Sequence, residues 1–450
     1  MNIIVVGAGK VGASIIENFI AEKHDIIVVD NNPLVVEAFA NKYDVQGVVG
    51  SGIDKKTLLD AGVDKADFFI ACTSRDETNV LCGVLAKKLG ARYTVARVRT
   101  PEYFSELDSL RADLGLDMIF NPEYRTAVEI ANMLKFPSSK SVESFSDGKA
   151  LMVEFDIDED SLMADKTIMG IAKEGHGKVL FAMVNRGGKV YIPKGDFVVK
   201  EGDKVFVVST EEEITDFCKS LKIFKRHSRN VFIIGGGMIS HYLAKGLISS
   251  KSKVKIVEND LDRCKALSDN LDGVSVVYGN GTDEEVLLEE GLSKCDACIA
   301  VTGNDEQNVI TSLYAKQIGV PKVITKVDST TITNMLSTLD LDSVIMPKKV
   351  VSNHIIKFVR SHQVVKDSGM TEFYKLEGEA EAIEFSVNLN FDGLDVPIKK
   401  LKIKRNVLLC GIVRDGEYIL PTGDQTIKVG DKILVVTTHA GITSLSEIIN

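Results

Sequence analysis

Short apolar runs alternate with amphipathic stretches along the first 120 or so residues. Ile3–Val6 is an apolar run of strand length. From Lys10 to Ile20 the apolar positions Val11, Ile15, Ile16, Phe19 and Ile20 recur at helical spacing on one broad face. Ile26–Val29 is a second strand-like run, ending at Asp30. Pro33 stands where a helix can start, and Leu34–Asn41 continues it. The same alternation predicts strands at Val45–Val49, Phe68–Cys72, Tyr93–Val98 and Met118–Phe120. It predicts helices at Lys55–Ala61 and Glu77–Leu89, the second closed by Gly90. Strands separated by helices pair in parallel, so the pattern reads as a doubly wound α/β sheet.

The pattern then recurs. Gly7-Ala8-Gly9-Lys10-Val11-Gly12 follows the first apolar run, and Gly235-Gly236-Gly237-Met238-Ile239-Ser240 follows Val231–Ile234, 228 residues later (235 − 7). Asp30 and Glu258 lie equally far past their first glycines, 23 residues (30 − 7 and 258 − 235). Gly50-Ser51-Gly52 matches Gly279-Asn280-Gly281. Ala71-Cys72-Thr73-Ser74-Arg75-Asp76-Glu77-Thr78-Asn79 matches Ala300-Val301-Thr302-Gly303-Asn304-Asp305-Glu306-Gln307-Asn308, and Ala96-Arg97-Val98 matches Thr325-Lys326-Val327. Behind each α/β copy lies a smaller β-rich stretch. The first has Leu151–Ile157, then Val179–Val184 and Lys189–Ile192 around the hairpin turn Asn185–Gly188. Gly202-Asp203-Lys204 in this stretch recurs as Gly430-Asp431-Lys432. Ser138–Lys149 and Lys222–Asn230, rich in Ser or in charge, read as linkers.

A chain of 450 residues suggests about three domains by length, and the repeat raises this to four. The net charge of −10 argues against nonspecific nucleic-acid binding, which needs cations to displace counterions. No apolar run reaches the ~18 residues of a membrane span, and the N-terminus enters a strand without a basic leader, so a cytosolic protein is expected. The seven cysteines read as reduced, buried side chains. Cys295-Asp296-Ala297-Cys298 has no second pair to complete a zinc site, and no metal site is expected.

The glycine loops carry the chemistry. In a strand–glycine–helix unit the first glycine makes the tight turn, the second admits a pyrophosphate to the backbone, and the third lets helix and strand pack closely. The helix N-terminus offers unpaired N–H groups and partial positive charge, and Lys10 adds a cation. Asp30 accepts hydrogen bonds from an adenosine ribose. It repels a 2′-phosphate, and Asn31-Asn32-Pro33 supplies no arginine for one, so NAD is favoured over NADP. In the second copy Ser240 replaces the third glycine, Met238 the lysine and Glu258 the aspartate. This predicts a site of different affinity or ligand preference. The ribose rule does not separate NAD from ADP or ATP. Thr73, Ser74, Thr302 and Gly303 follow the fourth strands, where the crevice of such a sheet lies, and Arg97 and Lys326 stand on the fifth, within reach of phosphate. Helix capping is the other reading of Thr73 and Ser74, and a surface ion pair that of Arg97. No G-x-x-x-x-G-K-[ST] loop occurs, no tyrosine has a lysine four residues on, and His24, His227, His241, His354 and His362 show no acid–base spacing. No catalytic residue is expected. An NAD-dependent oxidoreductase with a duplicated Rossmann fold is the alternative to a ligand sensor.

These motifs, above all Ala71–Asn79 after the fourth strand, resemble those of the regulatory subunits of bacterial and archaeal Trk potassium uptake systems, tandems of two RCK (KTN) units. The resemblance covers nearly the whole chain. It implies two doubly wound parallel-sheet Rossmann domains, 1–123 and 228–348, each followed by a small α+β domain, 140–225 and 368–450. It implies NAD(H) and ADP or ATP as ligands, no enzymatic turnover, and a cytoplasmic, tetrameric homo-oligomeric ring at the inner face of the plasma membrane, docked on a potassium-translocating subunit. Carried over, the first site is Gly7, Ala8, Gly9, Lys10, Val11, Asp30, Thr73, Ser74 and Arg97. The second is Gly235, Gly236, Gly237, Met238, Ile239, Glu258, Thr302, Gly303 and Lys326. Ser51 departs from the Asp or Asn of such proteins at the adenine contact. The helix Glu123–Phe136 resembles the crossover segment that pairs RCK units. The basic cluster Lys222, Lys225, Arg226, His227 and Arg229 reads as a solvated linker.

Overall fold

A computed structural model of the chain describes residues 1–43, 45–136, 138–174, 178–223, 228–335, 341, 343–363, 369–376, 378, 380–439 and 441–449. It divides into two units. The first consists of 1–128, 236–245 and 346–355, and the second of 129–235, 246–345 and 356–450. Among the described residues no helix is long and apolar enough to cross a membrane.

In the first unit six strands, β1 (Asn2–Val6), β2 (Asp25–Asp30), β3 (Gln46–Val49), β4 (Phe68–Ala71), β5 (Tyr93–Arg97) and β6 (Met118–Phe120), form one parallel sheet in the order β3-β2-β1-β4-β5-β6. Helices α1 (Lys10–Ala21), α2 (Pro33–Lys42), α3 (Lys55–Asp60), α4 (Asp76–Leu89) and α5 (Pro101–Leu110) connect them, and α6 (Pro122–Lys135) follows β6. The strand order reverses between β1 and β4, and Val6 lies level with both Val29 and Ala71. The carboxyl ends of β1, β2 and β4 therefore open on one crevice, the ligand position of such sheets. Ile4, Val6 and Phe69 pack on Leu58, Cys82 and Ala86 of α3 and α4. Gly90 closes α4 with φ +119. Helix α5 was not foreseen, although Pro101 stands at its first position.

The second unit holds the other parallel sheet, six strands in the order that corresponds to the first. It also holds two antiparallel sheets of five strands. The first small sheet contains β7 (Val142–Phe145), β8 (Ala150–Asp156), β9 (Leu180–Arg186), β10 (Lys189–Tyr191) and β11 (Asp203–Ser209), with helices α7 (Ile168–Glu174) and α8 (Glu211–Ser220). The linker expected at Ser138–Lys149 is not one. Val142 and Phe145 are buried, and β7 forms the edge strand beside β8. Lys222 and Arg229 flank a stretch whose Lys225, Arg226 and His227 lie outside the described residues.

Strands β12 (Asn230–Ile234), β13 (Lys253–Glu258), β14 (Val274–Tyr278), β15 (Ala297–Ala300), β16 (Lys322–Lys326) and β17 (Ser343–Ile345) form the large sheet. They alternate with α9 (Met238–Ser249), α10 (Leu261–Asn270), α11 (Glu284–Glu289), α12 (Asp305–Gln317) and α13 (Thr330–Met335). After α14 (Pro347–Gln363) come β18 (Met370–Lys375), β19 (Glu381–Ser386), β20 (Val407–Arg414), β21 (Glu417–Ile419) and β22 (Lys432–Thr437) of the last sheet. Cys295 and Cys298 are buried thiols on the core side of β15, and burial pushes Cys295 up to about 12.

The two small sheets share a core. Ala150, Met152, Ala182 and Val208 of one cluster with Ala382, Cys410, Leu434 and Val436 of the other. Each is clamped by the same ion pair. Arg186 donates through Nε and Nη2 to the two oxygens of Asp203 at 2.7 Å, and Arg414 does the same to Asp431. Both carboxylates are buried, and each also accepts a backbone N–H, from Lys200 or Lys428. Removing one partner leaves the other charge partly desolvated without its counter-ion. Asp203→Ala and Asp431→Ala are therefore each expected to cost about 1–3 kcal/mol, read as a lowered urea midpoint for the small domains. A loss below about 1 kcal/mol in both would contradict this reading.

Candidate functional site

The first glycine loop is crowded at two glycines and open at the third. Gly7 has φ +91, and a Cβ there would lie 2.8 Å from Thr73 N. A Cβ on Gly12 would lie 2.0 Å from Gly7 O. Between them Gly9 is extended (φ −69, ψ −171), and a Cβ on it would meet nothing within 4 Å. Gly9 is the N-cap of α1, with no side-chain cap and no acidic residue in the first turn. The opening N–H groups of the helix are thus left for an acceptor from outside. Lys10 is exposed beside them.

Asp30 fixes this loop as well as facing the crevice. Ala8 N–H donates to its Oδ2 and Asn32 N–H to its Oδ1, both at 2.9 Å. Below the loop the Cys72 thiol donates to Gly7 O at 3.1 Å, and burial pushes its pKa up to about 12, so it stays a thiol.

At the ends of β4 and β5 an amide ties the crevice wall together. Thr73 donates both its N–H and its Oγ1–H to Asn79 Oδ1 (2.7 Å each), while Asn79 Nδ2 donates to Thr73 O (3.2 Å) and Arg97 O (3.0 Å). Neither Thr73 nor Ser74 caps α4, whose N-cap is Arg75. Arg97 is no surface ion pair. Its side chain is 12% exposed, and Nη2 reaches Glu123 Oε1 at 3.3 Å. Its Nε is buried without a hydrogen-bond partner among the described residues. Asp76 accepts the N–H groups of Arg99 and Thr100 and the hydroxyl of Thr100.

The second copy repeats the geometry with different charges. Gly235 has φ +101, with a Cβ position 2.9 Å from Thr302 Cα, and Gly237 again meets nothing within 4 Å. Thr302, Asn308 and Lys326 O reproduce the amide network: Thr302 N–H and Oγ1–H donate to Asn308 Oδ1 at 2.9 and 2.7 Å, and Asn308 Nδ2 donates to Lys326 O at 3.1 Å. The Lys326 ammonium donates to Thr302 O (3.1 Å) and lies 3.3 Å from Asp328 and 3.6 Å from Asp305. Glu258 accepts the N–H groups of Asn259 and Asp260 and pairs with Arg263 at 3.3 Å. Val35 stands at the Arg263 position of the first copy. Met238, Gly303 and Ser74 lie at the loops without a charge of their own.

The structure thus brings Gly7, Ala8, Gly9, Lys10, Val11, Asp30, Thr73 and Arg97 to one sheet edge. Sequence reasoning overlooked Asn79, Asn308, Asp76, Asp305 and Glu123. The first four sat inside the aligned motif, and their recurrence was the signal that could have found them. Among the described residues no group of three or more His, Cys, Asp or Glu is arranged to hold a metal ion.

The TrkA-N domain family matches residues 3–122 and 231–347, and the TrkA-C domain family matches 152–222 and 384–450. The chain is 33% identical over 448 residues to a Trk system potassium uptake protein TrkA homolog of Archaeoglobus fulgidus, covering 100% of both chains. It is 29% identical to the Trk system potassium uptake protein TrkA of Vibrio alginolyticus, covering 97% of this chain and 95% of the relative. Among solved structures the GsuK channel superposes with a TM-score of 0.66 at 16% identity, over 97% of this chain and 76% of that one. The GsuK channel bound to NAD superposes at 0.64 and 17%, with the same shares. At these identities the likeness is one of fold.

Gly12→Ala is expected to lower the melting temperature of the chain, because backbone must shift to admit the methyl group. Gly9→Ala should cost under about 1 kcal/mol of stability. It should nonetheless weaken nucleotide binding at the first loop at least about tenfold, because the methyl fills the phosphate approach. Differential scanning calorimetry and a nucleotide titration on the two variants check this pair. Equal binding by Gly9→Ala and the parent chain would contradict it.

Proposed function

Because the chain belongs to the TrkA family of Trk potassium uptake proteins, we propose that it is a nucleotide-binding regulatory subunit which controls a potassium-translocating membrane partner. The observation that carries this reading is the pair of open middle glycines, Gly9 and Gly237, each in a loop where the first glycine is sterically required. The protein itself does not require the absence of a methyl group there, whereas an approaching diphosphate does.

The residues fit an adenine nucleotide. The N–H groups at the start of α1, with Lys10 beside them and Arg97 at the end of β5, match a diphosphate. Asp30, already oriented by Ala8 and Asn32, has lone pairs left for ribose hydroxyls. Thr73 and Ser74, at the end of β4, border the remaining edge. In the second copy Gly237, Met238 and Ile239, after Gly235 and Gly236, open α9 as Gly9, Lys10 and Val11 open α1, and Glu258, Thr302, Gly303 and Lys326 stand at the ends of its strands. There the acids Asp305 and Asp328 balance the lysine, which favours a ligand of lower negative charge than in the first crevice. Neighbouring structures of GsuK with NAD and with ADP support both ligand classes.

The four modules of this reading are 1–123, 140–225, 228–348 and 368–450, the second and fourth being the small domains. A ligand that binds two conformations unequally shifts the population between them, which suffices for control without chemistry. The working form is a homotetrameric ring on the cytoplasmic face of the membrane, with no nucleic acid involved.

Calorimetric titration of the full chain with NADH, NAD, ADP and ATP, followed by small-angle scattering of each complex, tests this. Binding without consumption, together with a ligand-dependent scattering profile, is expected. Absence of heat with all four ligands on folded protein would overturn it. Sustained NADH oxidation with a carbonyl substrate would replace it by an oxidoreductase.

A further inference from the structure

Tyr242 lies on α9, one turn past Met238, on the helix whose N-terminus forms the second glycine loop. Its hydroxyl donates to Arg99 O at 3.0 Å and accepts from Asn121 Nδ2 at 2.8 Å. Its ring stands edge-on to Tyr124, with centroids 5.4 Å apart. Asn121 Nδ2 also donates to Arg99 O (3.0 Å), and Asn121 Oδ1 accepts Tyr124 N–H. The side chain of Arg99 donates through Nε to Glu123 Oε1 at 2.9 Å, the oxygen that Arg97 Nη2 also reaches. A continuous polar path therefore runs from Arg97 at the first crevice through Glu123, Arg99 and Asn121 to Tyr242. All of these residues belong to the first unit.

The same position of the other glycine helix makes an equivalent contact. Ser14, 228 residues before Tyr242 (242 − 14), has its Oγ 3.0 Å from Ser352 Oγ and 3.5 Å from Lys348 O, on α14. Each glycine helix thus meets residues at or next to the helix that follows the last strand of the opposite copy. Burial raises the pKa of the Tyr242 phenol, so it keeps its proton and its donor role.

We propose that Tyr242 is a positioning residue that couples the two crevices, so that a nucleotide bound at one changes the affinity of the other. The inference rests on the reading of both glycine loops as nucleotide sites. A shift of α9 toward a bound phosphate pulls the hydroxyl from Arg99 O, leaving partly buried polar groups unpaired unless the Arg99 segment follows. That segment carries the Arg99 side chain, which shares the Glu123 carboxylate with Arg97. Linkage makes the effect reciprocal: each ligand alters the affinity for the other by the same factor.

The test measures the affinity of the full chain for NADH with and without saturating ADP, in the parent chain, in Tyr242→Phe and in Gly237→Ala. Phenylalanine keeps the ring contact and removes only the hydroxyl, and Asn121 retains its bond to Arg99 O. In the parent chain ADP is expected to shift the NADH dissociation constant by at least about fivefold, and the shift should level off as ADP rises. In Tyr242→Phe both ligands bind singly as before, but the shift falls below about twofold. Gly237→Ala loses the shift too. Two ligands that bind independently, or a shift that survives in Tyr242→Phe, overturn the coupling and leave the proposed function standing. A shift that survives in Gly237→Ala is direct competition and also overturns the coupling. Failure of both ligands to bind the folded parent chain overturns the proposed function and the coupling with it.

Discussion

The approach of Gly7 to the end of the fourth strand is the constraint on which the first crevice depends. With φ +91 and a Cβ position 2.8 Å from Thr73 N, this residue is glycine for steric reasons alone. Its position sets where α1 begins, and Gly12 then lets the first turn of that helix lie against Gly7 O. Asp30 and Cys72 hold the loop from either side, by an accepted N–H and a donated thiol hydrogen. Gly235 makes the same approach to Thr302. The two loops are built alike, and in each a Cβ on the middle glycine, Gly9 or Gly237, would meet nothing within 4 Å among the described residues.

A second shared device keeps the wall of each crevice in place. Asn79 and Asn308 are nearly inaccessible to solvent, and each satisfies groups from the ends of two adjacent strands. A buried amide with its partners in place is rigidifying, and one left unpaired is costly. Thr73 and Thr302 are therefore held in one orientation by the protein itself. The two crevices differ in electrostatics instead. Arg97 shares one carboxylate with Arg99, whereas Lys326 sits between two aspartates and Glu258 is paired with Arg263.

The parallel sheets and glycine loops were legible because buried parallel strands read as continuous apolar runs and the loops follow them at once. The hairpin at Gly187-Gly188 was equally plain, and both glycines have positive φ. Strand β7 was not, since Val142-Glu143-Ser144-Phe145 looks like a polar linker until its neighbour β8 buries both ends. Helix α8 carries three glutamates in its first turn behind the capping Thr210, a local start signal that was passed over. The pairing of Arg97 with Glu123, and the docking of Tyr242 on Arg99, join residues far apart in the chain. No local pattern announces such contacts, because only the folded topology brings their partners together.

The central claim is that the main-chain amides opening α1 and α9 receive a nucleotide diphosphate. Amide hydrogen exchange of the full chain, with and without NADH or ADP, addresses those groups directly. Slower exchange at Gly9–Val11 or Gly237–Ile239 in the presence of at least one of the two ligands is the predicted result. Bound ligand with unchanged exchange at both loops would contradict the account.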